Sequence, residues 1–554
     1  MSSLRARLEP ENCIQTVYKR GYRFTAAVVR HSGPPPGILP RLAILPFANE
    51  YSVPEHLGLA IAEETMARLS NARLPSLAVL ARDSVYILVG RGFTAQQIGE
   101  MLKADLVLTG TLRAFSSQFR LRAEMIRVED GVQVWVEDML VDRNRLAGLE
   151  SELVERLAFR LATGVPGDRP SSQGWSTGVP SSDKSSSPAL SSDVPGEGSS
   201  SQELEKADLE ISAAAADEMQ IDQGALRTEA YDLYLRGHYE WQTLHRHRMQ
   251  DGLQHLLRAI ELDPSLIPAQ VDLAHLCVTQ AFYGFMSPSV SAHHVHHVEE
   301  SIPDLPDRAP EILPALGWVN FHFDRNLPAA LKAFAASAHL PHDPWVTRAR
   351  SMFMLGRHRF PETITMLRAA IQVDPYSPWL QSRLAWALHL DGQANESVAQ
   401  IQSALKLLSE HEFTKFYGAL IFAYNGDSLR ATKLANELVQ QLPFLDLANA
   451  VQAYTLACAG RKDEARAILE RLQWLGRERY LLNSFNPAVY VALGDLDVAI
   501  EELSTANERR CPWFFQMLAD PCLKPLHGRP EFKQLRAILT AMEAEAAEAP
   551  ESKR

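Results

Sequence analysis

The chain has 554 residues, 46% of them hydrophobic, and a formal net charge of −12. That length and apolar content fit several domains, each with a buried core, and the acidic balance excludes a protein whose whole surface grips nucleic acid. Five cysteines (Cys13, Cys277, Cys458, Cys511 and Cys522) fall without metal or disulfide spacing, no apolar run approaches the ~20 residues of a membrane span, and the opening MSSLRARLE leads into no apolar signal core, so reduced thiols in a cytoplasm are expected.

Two breaks divide the chain. Ser32 to Pro36, SGPPP, is too proline-rich to continue a helix or strand. From about Gly164 to Ser201 the composition is Ser, Pro, Gly and Asp, which buries too little to offset the entropy of ordering and reads as a linker. Between the breaks, Leu42-Ala43-Ile44-Leu45-Pro46-Phe47 reads as a buried strand. Leu57, Ile61, Met66 and Leu69 then recur at helical spacing. Leu77 to Leu80 is a second strand candidate, Ile98 and Leu102 belong to a second helix, and Leu106 to Gly110 is a third strand. Two alternating runs, Phe119 to Ile126 and Val132 to Val136, flank Asp130-Gly131, a hairpin signal because the turn needs a positive φ. This pattern predicts an α/β domain ending in an antiparallel ribbon.

The remainder is helical and periodic. Ala329, Thr363, Ser397, Ala431, Ala465 and Ala499 fall 34 residues apart, as do Gly392, Gly426, Gly460 and Gly494, and as do Ala336, Ala370, Ala404, Leu438, Leu472 and Ala506. Small side chains let paired helices approach closely, and glycine suits the turn between them. Pro341, Pro375 and Pro443 stand at the unit boundaries, where proline ends a hairpin. An irregular first unit holds Gly252, Leu256, Ala259 and Pro264, and Phe282 to Pro310 breaks the register as an insertion or a degenerate hairpin. A period of 34 is the tetratricopeptide signature.

Three resemblances follow from these residues. IQTVYKRGYRF at Ile14 to Phe24, with Leu4-Arg5-Ala6-Arg7-Leu8 before it, resembles the closing hairpin, or wing, and the end of the recognition helix of an OmpR/PhoB-type winged-helix transcriptional regulator, N-terminally truncated. Residues Arg41 to about Asp142 resemble the TolB-like α/β domain found in such regulators and beside some nucleotide cyclases, on LAILPF at Leu42, LGLAIAEETMARLS at Leu57, LAVLARDS at Leu77, IGEMLKADLVLTGTLR at Ile98 and GVQVWVED ending at Asp138. YDLYLRG at Tyr231, LGW at Leu316, Ala519-Asp520-Pro521, Pro525-Leu526 and Pro530-Glu531-Phe532 resemble tetratricopeptide arrays that follow this domain. The expected division is 1–30, a winged-helix remnant; 41–163, the TolB-like domain; 164–224, a disordered linker and lead-in; and 225–545, an all-α tetratricopeptide solenoid.

The resemblance implies a regulator acting in signal transduction, whose array binds a protein partner. Arg5, Arg7, Lys19, Arg20 and Arg23 are its candidate DNA-contacting residues, suited to phosphates and the minor groove. DNA binding is expected only if an upstream portion completes the winged helix, because a recognition helix needs a core to hold it. The alternative is a tetratricopeptide scaffold that binds no DNA, and a third reading is a cyclase-linked accessory fragment. His293-His294-Val295-His296-His297 is a tempting metal tract, but no cysteine or acidic pair completes it, and a solvated helix face is expected. Trp318, Phe334, Phe353, Trp379, Trp386 and Trp474 are expected in the core between hairpins. The acid pairs Glu63-Glu64 and Glu501-Glu502 are expected on solvated faces. No phosphate loop, nucleophile elbow or zinc-protease helix is present, so neither enzyme activity, nor a metal, nor a cofactor, nor membrane attachment is expected.

Overall fold

The computed structural model describes residues 14–17, 21–24, 40–50, 52–71, 77–115, 118–142, 148–162, 225–242, 245–338, 340, 344–482 and 484–548. Strands β1 (Ile14–Val17) and β2 (Gly21–Phe24) form a separate antiparallel hairpin.

The α/β domain is built on β3 (Arg41–Ile44), β4 (Ala48–Asn49), β5 (Ala78–Val79), β6 (Leu106–Ala114), β7 (Gln118–Arg127) and β8 (Gln133–Asp142). They lie in the order β5-β3-β6-β7-β8, with β4 also beside β6; β3 is parallel to β5 and β6, while β6, β7 and β8 run antiparallel. The period-two alternation sends Leu42 and Ile44 to one face, against Leu57 and Ile61 of α1 (Glu55–Asn71) and Leu153 and Leu157 of α4 (Leu149–Ala162). Ala43, Leu45 and Val107 go to the other face, under Val85 and Leu88 of α2 (Arg82–Val89) and Ile98 and Leu102 of α3 (Ala95–Leu102). Thr94 and Gln97 form a capping box that starts α3.

Two local readings change. The apolar run at Leu77 becomes a strand of only two residues, and Arg82-Asp83-Ser84 opens helix α2 instead of extending it. The ribbon turn does place Gly131 at φ +70°, but the loop spans Val128 to Val132. Asp130 stabilises it by accepting from the Val132 amide at 3.1 Å and from Arg127 at 3.0 Å.

The array consists of paired helices. They are α5 (residues 225–241) with α6 (Arg246–Leu262), α7 (Ile267–Tyr283) with α8 (Pro288–Ser301), α9 (Leu313–His322) with α10 (Leu327–Ala336), and α11 (Pro344–Gly356) with α12 (Phe360–Val373). The series continues through α13 (Pro378–Leu390) with α14 (Ala394–Leu407), α15 (Glu412–Tyr424) with α16 (Ser428–Gln441), α17 (Asp446–Cys458) with α18 (Lys462–Glu478), and α19 (Asn486–Leu493) with α20 (Leu496–Glu508). A last helix, α21 (Pro530–Glu548), follows. Phe282 to Pro310 is thus a true hairpin half, α8, followed by an added turn at Leu305–Arg308.

Thr363, Ser397, Ala431, Ala465 and Ala499 are fully buried near the starts of the second helices, where a larger side chain would push the pair apart. The turns before them place Gly392, Gly426, Gly460 and Gly494 at φ +77° to +93°. The period slips by one in the α9–α10 pair, where Ala330 and Ser337 take the buried places expected of Ala329 and Ala336. The left-handed turn residue there is Arg325, at φ +59°, and in the next pair His358, at φ +58°, so both turns close without glycine.

Candidate functional site

The N-terminal hairpin pairs Ile14 with Phe24 and Val17 with Gly21. Arg23 lies in β2 opposite Gln15, whereas Arg5, Arg7, Lys19 and Arg20 lie outside the described residues.

The polar groups that the structure gathers lie where the α/β domain meets the array. Glu63 and Glu64, expected in solvent, are 6% and 9% exposed on α1. Glu63 takes hydrogen bonds from Arg82, from His238 Nε2 at 2.7 Å and from Gln242 at 2.6 Å, and His238 Nδ1 reaches Asp272 at 2.6 Å. Burial works to raise the Glu63 carboxyl, but Arg82 and His238 outweigh it and hold it at about 2. Burial likewise works against a charged His238, and Asp272 and Glu63 overcome it, holding the imidazolium well above its ordinary range. The result is a buried Glu⁻–His⁺–Asp⁻ chain tying α1 to α5 and α7. Beside it Tyr234 donates to Glu64 at 3.0 Å, Tyr231 donates to Glu150, and Arg68 bonds Glu64 at 2.8 Å.

A second cluster seats α2 further along the array. Asp83 accepts from Arg348 at 2.9 Å and from Ser377 at 2.9 Å, the Ser84 amide and hydroxyl donate to Asp374, and Ser84 Oγ accepts from the Tyr376 amide at 2.9 Å. Burial, then the neighbouring Asp83, pushes the Asp374 carboxyl up to about 7. The sequence signal for the first cluster is the acid pair Glu63-Glu64 inside an otherwise apolar helical run, though acids usually face water; Asp83 and Asp374 carry no such signal.

The other concentration of unusual groups is the inner face made by the first helices of the pairs. Residues 511–526 run across it. Trp513 stacks on Phe282 at 4.4 Å, and its indole donates to the Phe282 carbonyl at 2.9 Å. Phe515 packs on Phe321 at 4.9 Å, His358 meets the Phe515 carbonyl at 2.8 Å, and His389 meets Asp520 at 3.2 Å. Trp513, Phe514, Phe515 and Leu518 are 0–1% exposed. Hence the chain itself covers this face of the first helices. Trp318, Phe334, Phe353, Trp379 and Trp386 are core as expected, but Trp474 is 58% exposed on α18. Glu501 is exposed and Glu502 half-buried.

The histidine tract is one turn-and-a-half of α8. His296 bonds Asp324 at 2.9 Å and Glu299 at 3.2 Å, which raise it to about 10, and among the described residues no group of three His, Cys, Asp or Glu is placed to hold a metal ion. No described helix is long and apolar enough to cross a membrane.

This is a mixed protein, a small α/β domain docked by buried ion pairs onto a long tetratricopeptide-type array. The α/β part carries a likeness to a regulator: the family model described as "HilA/YgeH-like transcriptional regulator, second domain" matches residues 39–156. A putative adenylate cyclase 3 of Rhizobium meliloti (strain 1021) is 31% identical over 108 residues, 19% of this chain and 18% of that protein, so the match spans less than a fifth of that relative. Among solved structures, TolB from Acinetobacter baumannii is similar over 24% of this chain and 30% of its own, at 16% identity and a TM-score of 0.17. A tetratricopeptide repeat protein from Parabacteroides merdae is similar over 56% of this chain and 99% of its own, at 8% identity and a TM-score of 0.25.

Proposed function

We propose that this protein is a transcriptional regulator of the OmpR/PhoB-type winged-helix kind. In it the β1–β2 hairpin is the wing, with Arg5, Arg7, Lys19, Arg20 and Arg23 as phosphate and minor-groove contacts, and the docked α/β domain and array receive a signal from a protein partner. The observation that carries the reading is the match of residues 39–156 to a domain described as the second of a transcriptional regulator. A basic β-hairpin stands directly ahead of it, where a DNA-binding domain would be placed. The inner face of the array is taken by residues 511–526, which leaves a partner the outer side, where Leu429 and Trp474 stand 85% and 58% exposed. A scaffold that binds partners and no DNA is the rival.

Selection from a random DNA library, followed by gel shift, separates the two. The 554 residues taken alone are expected to bind DNA weakly and without sequence preference, because residues 1–30 are fewer than it takes to hold a recognition helix in place. The same protein extended by any in-frame upstream coding sequence is expected to bind one sequence specifically and to lose that binding on Arg20→Ala. Absence of specific binding by both would leave the scaffold reading standing.

A further inference from the structure

Strand β8 is the last of the six-stranded sheet: β7 lies on one side of it, and among the described residues nothing pairs with the other side. The outer side of such a strand carries a row of main-chain donors and acceptors, which is a template for another strand. Edges are commonly blunted by lysine, by proline or by shortness. β8 holds neither residue and, at 10 residues, is as long as β7. Its one inward acid, Glu137, is matched by Arg156 of α4. The pairing irregularity at Met125–Ile126 and the contact of Arg160 with the Val134 carbonyl, at 3.4 Å, both fall at the start of the strand.

Large apolar side chains gather at this edge. Met139 and Val141 join the core under α1 and α4, so Val136 and Leu140 point to the opposite face, where they are 41% and 63% exposed. On the α4 side Phe159, 73% exposed, stands one turn beyond Arg156, which reaches Glu137. The charges on the open face are matched within it: Asp138 accepts from Arg120 at 2.7 Å, and Arg122 meets Glu124 at 2.7 Å. A strongly charged partner therefore finds no unmatched field here. The exposed row Val136, Asp138, Leu140 reads the same in both directions, apolar, acid, apolar. Directly opposite residues of an antiparallel pair share a face. Pairing β8 with itself about Asp138 sets Val136 against Leu140 of a second copy, twice, and Trp135 against Val141 on the inner face. Each Asp138 then meets its copy with its own Arg120 alongside, which answers the repulsion of like charges across strands. A shift of two residues either way puts Val136 against an acid, Asp138 or Asp142, and a shift of one turns the faces over.

We propose that β8 is the interface between two copies of this chain, whose β8 strands pair antiparallel about Asp138 and join the two sheets into one, with Phe159 of each copy closing over the strand of the other. The pairing takes nine residues a side, Val134 to Asp142. A standard interface takes about 20–30, so the dimer forms and dissociates with concentration, on the order of 10 μM or above. β8 and β5 are opposite edges of the sheet, and the α2 seat on the array, which follows β5, is left as it is. The proposal is independent of DNA binding, so it stands or falls apart from the regulator reading.

Sedimentation velocity of the full chain from about 1 to about 200 μM tests it, and a monomer–dimer equilibrium is expected within that range. Leu140→Lys puts a charge on the edge and is expected to weaken the dimer about tenfold or more. Its melting temperature should match that of wild type at low concentration, because the side chain it replaces is mostly in solvent. Cross-linking reads the register. Asp138 lies on the twofold axis, so Asp138→Cys is expected to form a dimer linked by a disulfide under mild oxidation. In the same register Val136 and its copy lie four residues apart along the strands, about 13 Å, beyond the ~7 Å between Cα atoms that a disulfide spans. Val136→Cys is therefore expected to link about tenfold less, with wild type treated alike as the control for the native cysteines. A strand of another protein on this edge would leave the chain monomeric. A monomer throughout the range overturns the proposal, as does a dimer undiminished by Leu140→Lys, or linkage through Val136→Cys equal to that through Asp138→Cys.

Discussion

Trp513→Ala asks whether residues 511–526 are core or a removable strap. The Trp513 side chain is 1% exposed, stacked on Phe282 at 4.4 Å, edge-on to Phe485 at 5.3 Å and 6.0 Å from Phe416. Truncating a buried aromatic of this size costs about 3–5 kcal/mol. The Phe282 carbonyl also loses its 2.9 Å donor, which adds about 1 kcal/mol. Because a repeat array does not unfold in one step, the loss is to be read locally, by hydrogen exchange, as a fall of about 4–6 kcal/mol in the opening free energy of α7, α15 and the Phe485 turn together. The urea midpoint should fall with it. If faster exchange were confined to residues 511–526, with α7 and α15 as protected as before, the segment would be a detachable occupant of the inner face and the reasoning that makes it core would fail.

Brief proteolysis is expected to cut first between Gly164 and Ser201, and the two pieces should then co-elute on gel filtration, because the buried Glu63–His238–Asp272 chain holds them. Glu63→Ala strands Arg82 and His238 and should weaken that association by about 3–5 kcal/mol; pieces that stay together regardless would place the grip elsewhere. Glu150 and Asp374, both at the junction, are pushed up to about 7, each chiefly by burial. Such raised carboxyls contribute stability that is complete below their unfolded values and is lost as pH rises through 7. The Glu63 contribution, with its carboxyl held at about 2, is unchanged over that range. Melting temperature should therefore fall as pH rises from about 5 to 6.5, below the range in which the raised His238 also gives up stability, and Glu150→Gln should lessen the fall; a flat wild-type profile would contradict it. Ala465→Arg forces a charge into a fully buried hairpin contact and should lower the melting temperature by an amount matching about 3 kcal/mol or more; a melt like that of wild type would remove Ala465 from the contact.

The repeat was legible because each hairpin solves the same local problem with the same residues. A small side chain at Ser397, Ala431 or Ala465 permits close helix approach, and a glycine five positions earlier closes the turn. The slip at Ala329 was invisible, since Ala330 follows it and either alanine satisfies the pattern; only the Arg325 turn decides. The strands of the α/β domain were legible from alternation, but α2 was not, because Arg82-Asp83-Ser84 reads as a polar strand exit until Arg348, Asp374 and Ser377 are known to receive it. Glu63 and Glu64 failed for the same reason: their partners His238 and Tyr234 lie 175 and 170 residues away. Filling of the inner face depends on a pairing over 231 residues, Trp513 with Phe282, and no periodicity carries information over that distance. Trp474 shows the converse error, a large ring assigned to core by type and found in solvent.

The two junction clusters also limit how the array can move. α1 is tied to α5 and α7 in the first two hairpins, and α2 to α11 and the Asp374–Ser377 turn in the fourth and fifth. Repeat arrays flex by adding small rotations between neighbours, so a bend between the first and fifth hairpins accumulates across the span that the α/β domain bridges. The sheet and its packed helices cannot stretch to follow, and one cluster has to open. The clusters are unequal. At the first, two acids, Glu63 and Asp272, face two cations, Arg82 and His238. At the second, Asp83 and Asp374 lie together, Asp83 facing Arg348 at 2.9 Å and, at 3.6 Å, the Arg82 that Glu63 also holds, while burial and Asp83 raise the Asp374 carboxyl. Each further ionisation there adds like charge to a buried site. The α2 seat is therefore expected to open before α1 parts from α5, and faster hydrogen exchange in α1 than in α2 would refute this.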